Sequence, residues 1–386
     1  AIQEQSGKQF GNFENPLLVS VRSGARISMP GMMDTILNLG LNDLTVNGLA
    51  QSTQNRQFAL DSYRRFIQMF AKVVLGIEST AFEELLTNKK SEFGVVHDSE
   101  LSENALSELC DEFKELVLQK TGSPFQDDPQ LQLYEAIKAV FHSWNNQRAI
   151  DYRNYNGISH NWGTAVNIVS MVFGNMGDDC GTGVAFTRNP ATGANELYGE
   201  FLINAQGEDV VAGIRTPESI AQLEKTMPEI YKQFVDVGEL LEKSYRDIQD
   251  MEFTVERGKL YMLQTRSANR TAQAAVKIAV DMVSEGLISK EEALLRVKPS
   301  QVEQLLLPRF DDMAKATAIG GGNLLTLGLN ASPGAASGRV IFSADKAEKM
   351  KHERENIILV RPETSPDDVH GMLVAKGVLT ALGGAT

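Results

Sequence analysis

Three stretches of this sequence combine residue types in spacings that suit phosphate chemistry. In the first, Ser20-Val21-Arg22-Ser23-Gly24-Ala25-Arg26 sets two arginines astride a glycine at the end of an apolar run. Ser28-Met29-Pro30-Gly31-Met32-Met33-Asp34-Thr35 follows with a second glycine-bearing loop. Guanidinium forks and freely oriented backbone N–H groups are what a phosphate needs around it. The alternative is a surface turn with solvated arginines, and no Walker motif is present to decide between them.

The second stretch runs from Asp250 to Arg266, Asp-Met-Glu-Phe-Thr-Val-Glu-Arg-Gly-Lys-Leu-Tyr-Met-Leu-Gln-Thr-Arg. Alternation on both sides of Arg257-Gly258 predicts a β-hairpin. A three-residue loop of Glu256, Arg257 and Gly258 would set Val255 opposite Lys259 and Asp250 opposite Gln264. Asp250, Glu252 and Gln264 would then share a face, with Arg266 pointing the same way. Oxygen-bearing side chains on paired strands suit Mg²⁺ bridging the phosphates of ATP, because this hard cation takes oxygen ligands and supplies counter-charge. An amphipathic hairpin with a solvated polar face is the alternative. A two-residue loop is expected to separate Glu252 from Gln264 and to count against a metal.

The third stretch, Gly181-Thr182-Gly183 through Arg188-Asn189-Pro190-Ala191-Thr192-Gly193, with Glu200 and 204–209 downstream, is less specific, since hairpin turns alone explain its Gly and Asn-Pro signals. None of the five histidines, His97, His142, His160, His352 and His370, sits in a catalytic constellation. His142 follows Phe141 in an apolar helical segment and reads as a packing residue, while His97 and His352 lie in charged, exposed surroundings.

The elements that must hold these residues follow from periodicity. Pro16 to Val21 predicts a buried strand that ends at Arg22. Phe66, Met69, Phe70, Val73 and Val74 repeat at helical spacing, as do Ala105, Leu109, Phe113 and Leu116 behind Ser102 as N-cap. From Gly163 to Arg266 the pattern is strand-like, interrupted by one long helix over about Pro217 to Arg246. Ala272 to Met282 is helical, and Ser289-Lys290-Glu291-Glu292 is a capping box opening a helix that Pro299 closes. Strand-like runs return at 338–342, 357–361 and 377–380.

Composition limits the function. Fifty acidic against 37 basic residues give a net charge of −13, so nucleic acid and anionic lipid are excluded as general partners, and a phosphate site must be a local basic cluster. Two cysteines, Cys110 and Cys180, supply neither a disulfide framework nor a zinc site and fit a reducing compartment. No run approaches a bilayer span, so no membrane partner is expected. The first residues carry no initiator Met or signal pattern, and the last stop in an apolar run entering a Gly-Gly turn, so the chain reads as an interior fragment.

From Leu17 to Gly40 the sequence closely resembles the pyruvate, phosphate dikinase family. The likeness continues through Asp61 to Phe66, Gly181 to Pro190, Asn204 to Gly213, Asp250 to Arg266 and Leu359 to Asp368. The resemblance implies an α/β (α+β) architecture: an ATP-grasp nucleotide-binding domain over 1–269 with a helical insertion at about 42–126, a helical linker over 270–327, and an incomplete swivelling phosphohistidine domain over 328–386. It implies an enzyme that turns ATP, phosphate and pyruvate into AMP, pyrophosphate and phosphoenolpyruvate through a phosphohistidine carrier. Arg22, Gly31, Glu208, Asp250, Glu252, Gln264 and Arg266 are then the ATP site, with Arg22 stabilising phosphate charge and Asp250, Glu252 and Gln264 holding Mg²⁺.

A homodimer is implied for the full-length enzyme, in the cytoplasm, with a plastid or glycosome left open. In the family the Gly-Gly-Met-Thr turn leads into Ser and the carrier His, whereas here Gly383-Gly384-Ala385-Thr386 is last, so the fragment is not expected to complete the reaction alone. Leu373, Leu382 and Ala385 stand where the family has His, Arg and Met. The family's glycine-rich opening segment and pyruvate-binding barrel are also missing. Two other readings are a pyruvate, water dikinase, against which the Gly24 to Met33 pattern argues, and a non-catalytic nucleotide-binding remnant.

Overall fold

The computed structural model describes residues 1–211, 216–305, 310–329, 334–352 and 355–382, the side chains of 208, 211, 312 and 352 excepted. The expected Gly-Gly turn at 383–386 lies outside them. The chain divides into two compact units, Ala1–Met171 and Val172–Thr386.

In the first unit an antiparallel sheet is ordered β2-β1-β3, with β1 Val19–Ala25, β2 Thr35–Leu39 and β3 Thr164–Ser170. The apolar run expected to be one strand ending at Arg22 is split between the short strand Pro16–Leu17 and β1, and β1 does not end at Arg22 but carries it, with Ser23, Gly24 and Ala25, in register with β3, whose pairing extends the strand. Five main helices follow β2: Thr45–Thr53, Arg56–Val73, Ser79–Phe93, Glu103–Thr121 and Pro129–Ser143, and Gln147–Asn156 leads back to β3. Ser102 caps the fourth by accepting from Ala105 N, and Gly122 ends it in the left-handed conformation, as the sequence predicts. Phe125 packs edge-on against Phe66 and Phe70 with centroids 5.8 and 5.6 Å away, Phe66 and Phe70 lie tilted at 5.6 Å, and Phe82 meets Phe113 at 4.9 Å.

The second unit carries a five-stranded antiparallel sheet ordered β8-β7-β4-β5-β6, with β4 Gly181–Phe186, β5 Tyr198–Ile203, β6 Glu218–Ser219, β7 Gln249–Glu256 and β8 Lys259–Ser267. One face is apolar: Ala185, Phe201, Met251, Phe253 and Val255 pack with Ile230 and Phe234 of the helix Pro228–Tyr245. Gly183 is required there, because a Cβ would come 2.8 Å from both Phe201 and the Phe253 ring and 2.6 Å from the Glu200 carbonyl.

The single helix expected over Pro217 to Arg246 is not formed. Its first third is β6, a short 3₁₀ turn and the helix Leu223–Thr226, and the main helix starts at Pro228. Proline forces the preceding Met227 out of the helical region, to φ −139°, and then serves as the first helical residue itself.

Ala272–Ser284 and Lys290–Arg296 are helical, the latter behind the Ser289/Glu292 capping box. Pro299 opens a further helix, Pro299–Leu305, rather than merely closing the one before. The three late strands form a parallel sheet, Arg339–Ile341, Ile357–Arg361 and Gly377–Thr380, as the return of strand-like runs predicts.

Two ion-pair systems brace these units. Arg188, fully buried, is gripped by Glu242 at 2.9 Å and Glu285 at 2.6 Å, tying the end of β4 to the helix Pro228–Tyr245 and to the residue that ends Ala272–Ser284. In the first unit Asp61 accepts from Arg64 at 2.6 Å and Arg65 at 2.9 Å. Burial opposes the Asp61 charge, but the two guanidinium groups outweigh it and bring its pKa from 3.8 down to about 2.

Because the folded-state value is depressed, this stabilisation is present in full above about pH 4 and is lost as pH falls through about 2, amounting to about 2 kcal/mol at neutral pH. Asp61→Asn should therefore lower unfolding free energy by about 2 kcal/mol at pH 7. The gap from the unchanged chain should close on acidification in denaturant titrations, and a gap independent of pH between 5 and 2 would contradict the assignment.

Candidate functional site

The hairpin that carries the acidic cluster differs from its expected form in one respect. Its loop has two residues, Arg257 (φ 49°) and Gly258 (φ 69°), not three, with Glu256 paired to Lys259. Two consecutive left-handed residues match the twist of the strands. The turn is held from outside by Gly258 N donating to Asp179 O at 3.0 Å, Arg257 N to Cys180 Sγ at 3.2 Å and Phe173 N to Glu256 Oε2 at 2.7 Å.

By simple counting such a loop parts Glu252 from Gln264, as the sequence reading holds. A β-bulge between Met262 and Gln264 absorbs Leu263, shifts the register by one and brings Gln264 directly opposite Glu252 and Arg266 opposite Asp250. The expected pairing of Asp250 with Gln264 is corrected accordingly. The shared face is retained, because directly opposed residues point to the same side.

Strand alternation sends Met251, Phe253 and Val255 into the apolar core and leaves Asp250 and Glu252 on the other face, half-buried. Arg266 reaches both: Nε lies 2.7 Å from Asp250 Oδ2 and Nη2 lies 3.0 Å from Glu252 Oε1. Burial works against the guanidinium charge, but the two carboxylates outweigh it and raise the Arg266 pKa above its ordinary value. Gln264 is exposed beside them. On the same face Val184 stands next to Glu252 and Phe186 next to Asp250, and Glu200 and Tyr198 follow on β5.

Beyond them Val184 packs with Leu202, Ala205 and Val210, so an apolar floor adjoins the charged cluster. Glu208 belongs to the helix Gly207–Val211, but its side chain lies outside the described residues. Among the described residues no three acidic, histidine or cysteine side chains converge as a metal site. A divalent ion here would depend on Asp250, Glu252, the Gln264 amide oxygen and oxygens brought by its ligand.

Arg22 and Gly31 belong to the first unit. Arg22 sits on β1 between Thr35 and Asn167, half-buried, and its Nε is buried without a hydrogen-bond partner. Gly31, at φ 71°, tops the loop between β1 and β2. That loop is pinned from below: Met29 and Met32 pack with Trp144, Ala149 and Ile158, Arg148 pairs with Asp34, and Arg148 Nε donates to Met32 O at 3.1 Å. Asn146 Nδ2 donates to Asp34 Oδ2 at 2.8 Å and Asp34 N to Ser143 Oγ at 3.1 Å. Sequence reasoning missed this anchoring of Asp34, because its partners lie more than a hundred residues along the chain.

The histidines keep no catalytic assignment. His142 is exposed, a correction to its reading as a packing residue: at its helical step Val140 and Ser143 face inward instead. His97 is exposed as expected, His160 accepts from Arg153 Nε at 2.9 Å, and His370 meets Asp345 at 2.9 Å. The His352 side chain lies outside the described residues.

Burial pushes the Cys110 thiol up to about 12 and raises that of Cys180 as well, so neither offers a nucleophilic thiolate. Both thiols should resist Ellman's reagent at pH 7.5 and titrate fully in denaturant. One rapidly labelled equivalent in the folded chain would overturn their placement.

A family model described as "Pyruvate phosphate dikinase, AMP/ATP-binding domain" matches residues 1–236 and 227–287, and one described as "PEP-utilising enzyme, mobile domain" matches 353–386. The chain is similar to pyruvate, phosphate dikinase of Clostridium symbiosum, 55% identical over 386 residues that make up 100% of this chain and 44% of the relative. It is similar to that of Rhizobium meliloti (strain 1021), 54% identical over 397 residues with the same two shares, 100% and 44%. The chloroplastic form of Mesembryanthemum crystallinum is 54% identical over 385 residues, 100% of this chain and 40% of the relative. The chain thus spans less than half the length of these relatives. Its mixed helix and strand architecture is of the ATP-grasp-like α/β kind.

Proposed function

The chain belongs to the pyruvate phosphate dikinase family through its AMP/ATP-binding domain, and on that premise we propose that it supplies the nucleotide half of a dikinase. The parent converts ATP, phosphate and pyruvate to AMP, pyrophosphate and phosphoenolpyruvate through a phosphohistidine carrier. The carrier histidine and the pyruvate site are assigned to the remainder of the parent. The division into a nucleotide domain over 1–269, a linker over 270–327 and a mobile domain over 328–386 belongs to the same reading, as does a homodimeric, cytoplasmic or organellar parent.

The observation that carries the reading is the cluster on one sheet face: Asp250 and Glu252 forked by Arg266, with Gln264 on the Glu252 rung. Oxygen donors of this type fit Mg²⁺, and Asp250, Glu252 and Gln264 would hold it. Bound there, the ion would neutralise charge on the transferring phosphoryl group. The chain's own residues bind and orient. Arg266 would present guanidinium donors to phosphate oxygens, and Arg22, on the first unit, is proposed as a phosphate donor in its own right, since a phosphate oxygen would satisfy its orphaned Nε. Gly31 offers backbone that approaches a ligand closely, and Glu208 belongs to the same proposed nucleotide set. The apolar floor of Val184, Leu202, Ala205 and Val210 excludes water beside the charges.

Isothermal titration of the 386-residue chain with Mg²⁺ and a β,γ-imido analogue of ATP tests this. Glu252→Gln should weaken binding about 10-fold or more, and Arg22→Ala in the parent-length enzyme should slow AMP formation by about 10²-fold, the scale for one lost oriented donor. Binding that ignores Glu252 would refute the site, and unchanged AMP formation would refute the role of Arg22.

A further inference from the structure

We propose that Arg266 is the counter-ion a divalent cation must displace from Asp250 and Glu252, so that cation and nucleotide enter this face together and not one before the other. The inference rests on the nucleotide reading above and adds an order of entry to it.

Its basis is how fully the guanidinium is engaged. One nitrogen is spent on Asp250 at 2.7 Å and another on Glu252 at 3.0 Å, the same two carboxylates that would ligate the cation. Arginine cannot discharge by losing a proton, so it must leave as a cation, into water or onto another anion. A dication arriving alone would meet an undischarged cation on its own ligands and would break two charge-assisted hydrogen bonds to gain a place.

The sheet offers the released guanidinium little. The rung of Arg266 and Asp250 continues through Phe186 and Tyr198, and the rung of Gln264 and Glu252 continues through Val184 before it reaches Glu200. Glu200 stands two strands beyond Glu252, about 10 Å away at the usual strand spacing. A triphosphate changes the balance, because it brings the cation and, in the same molecule, the oxygens that Arg266 lacks. Cation affinity and nucleotide affinity are then coupled through one side chain, and each raises the other by the same factor.

Mn²⁺, a hard dication whose free form is read directly by electron paramagnetic resonance, tests this on the 386-residue chain with and without the imido analogue. Without nucleotide, Arg266→Met should bind Mn²⁺ about 10-fold or more tightly than the unchanged chain, within the usual range of coupling between sites. That gain should vanish in the double variant Arg266→Met/Glu252→Gln, which subtracts binding elsewhere on this acidic surface. Should Arg266→Met not fold, Arg266→Lys keeps the charge but loses the two-pronged contact and should give a smaller gain in the same direction. No gain from the substituted arginine, alongside Glu252-dependent Mn²⁺ binding in the presence of the analogue, overturns the counter-ion role and leaves the site standing. Loss of Glu252-dependent binding in every condition removes the site itself.

Discussion

The second unit is organised around one guanidinium held between two carboxylates on a strand pair. Arg266 can reach Asp250 and Glu252 together only if all three side chains leave the sheet on the same side, and that is a matter of register. A slip of one residue would send Arg266 into the apolar face, where a charge without a partner is far more costly than a lost contact. The register is defended twice. At one end the two-residue turn is pinned by Asp179, Cys180 and Phe173, and along the strand the Leu263 bulge takes up the one residue by which the turn is short.

The opposite face gives the cluster its rigidity. Phe234 and Phe253 lie with centroids 4.4 Å apart, and Gly183 lets the strands close over that ring. Each such buried aromatic contributes about 2 kcal/mol of transfer free energy, so the apolar side fixes the plane on which the charges stand. Arg188, gripped by Glu242 and Glu285, ties the end of β4 to flanking helices in the same way a core residue would, with charge in place of packing. In the first unit the loop bearing Gly31 is fixed by analogous means, two buried methionines and the Asp34 contacts with Arg148, Asn146 and Ser143.

Much of this was legible beforehand where the signal is local. Ser102 and Gly122 bound their helix, Ser289 and Glu292 form their capping box, and the run before Arg22 is a strand, because each depends on residues within a turn or two. The alternation from Asp250 to Val255 likewise showed which side chains share a face. The misreadings have the same cause in reverse. The helix expected from Pro217 loses its first third to a two-residue strand that pairs with β5, a 3₁₀ turn and a short separate helix, and His142 faces solvent because Val140 and Ser143 take the buried side of its helix.

By itself, the order of residues determined the composition limits, the family likeness and the candidate set of Arg22, Asp250, Glu252, Gln264 and Arg266, since these rest on residue types and short spacings. Tertiary structure alone decided that a bulge at Leu263 repairs the shortened turn, and that Arg266 spends its charge on both carboxylates at once. It also decided that Asp34 is anchored from the Ser143 to Arg148 corner. A bulge carries no marker in a run of alternating residues, and a contact across a hundred positions is set by how helices and sheets pack. Local pattern constrains only the few residues on either side, whereas register and long-range pairing are chosen by the free energy of the whole fold.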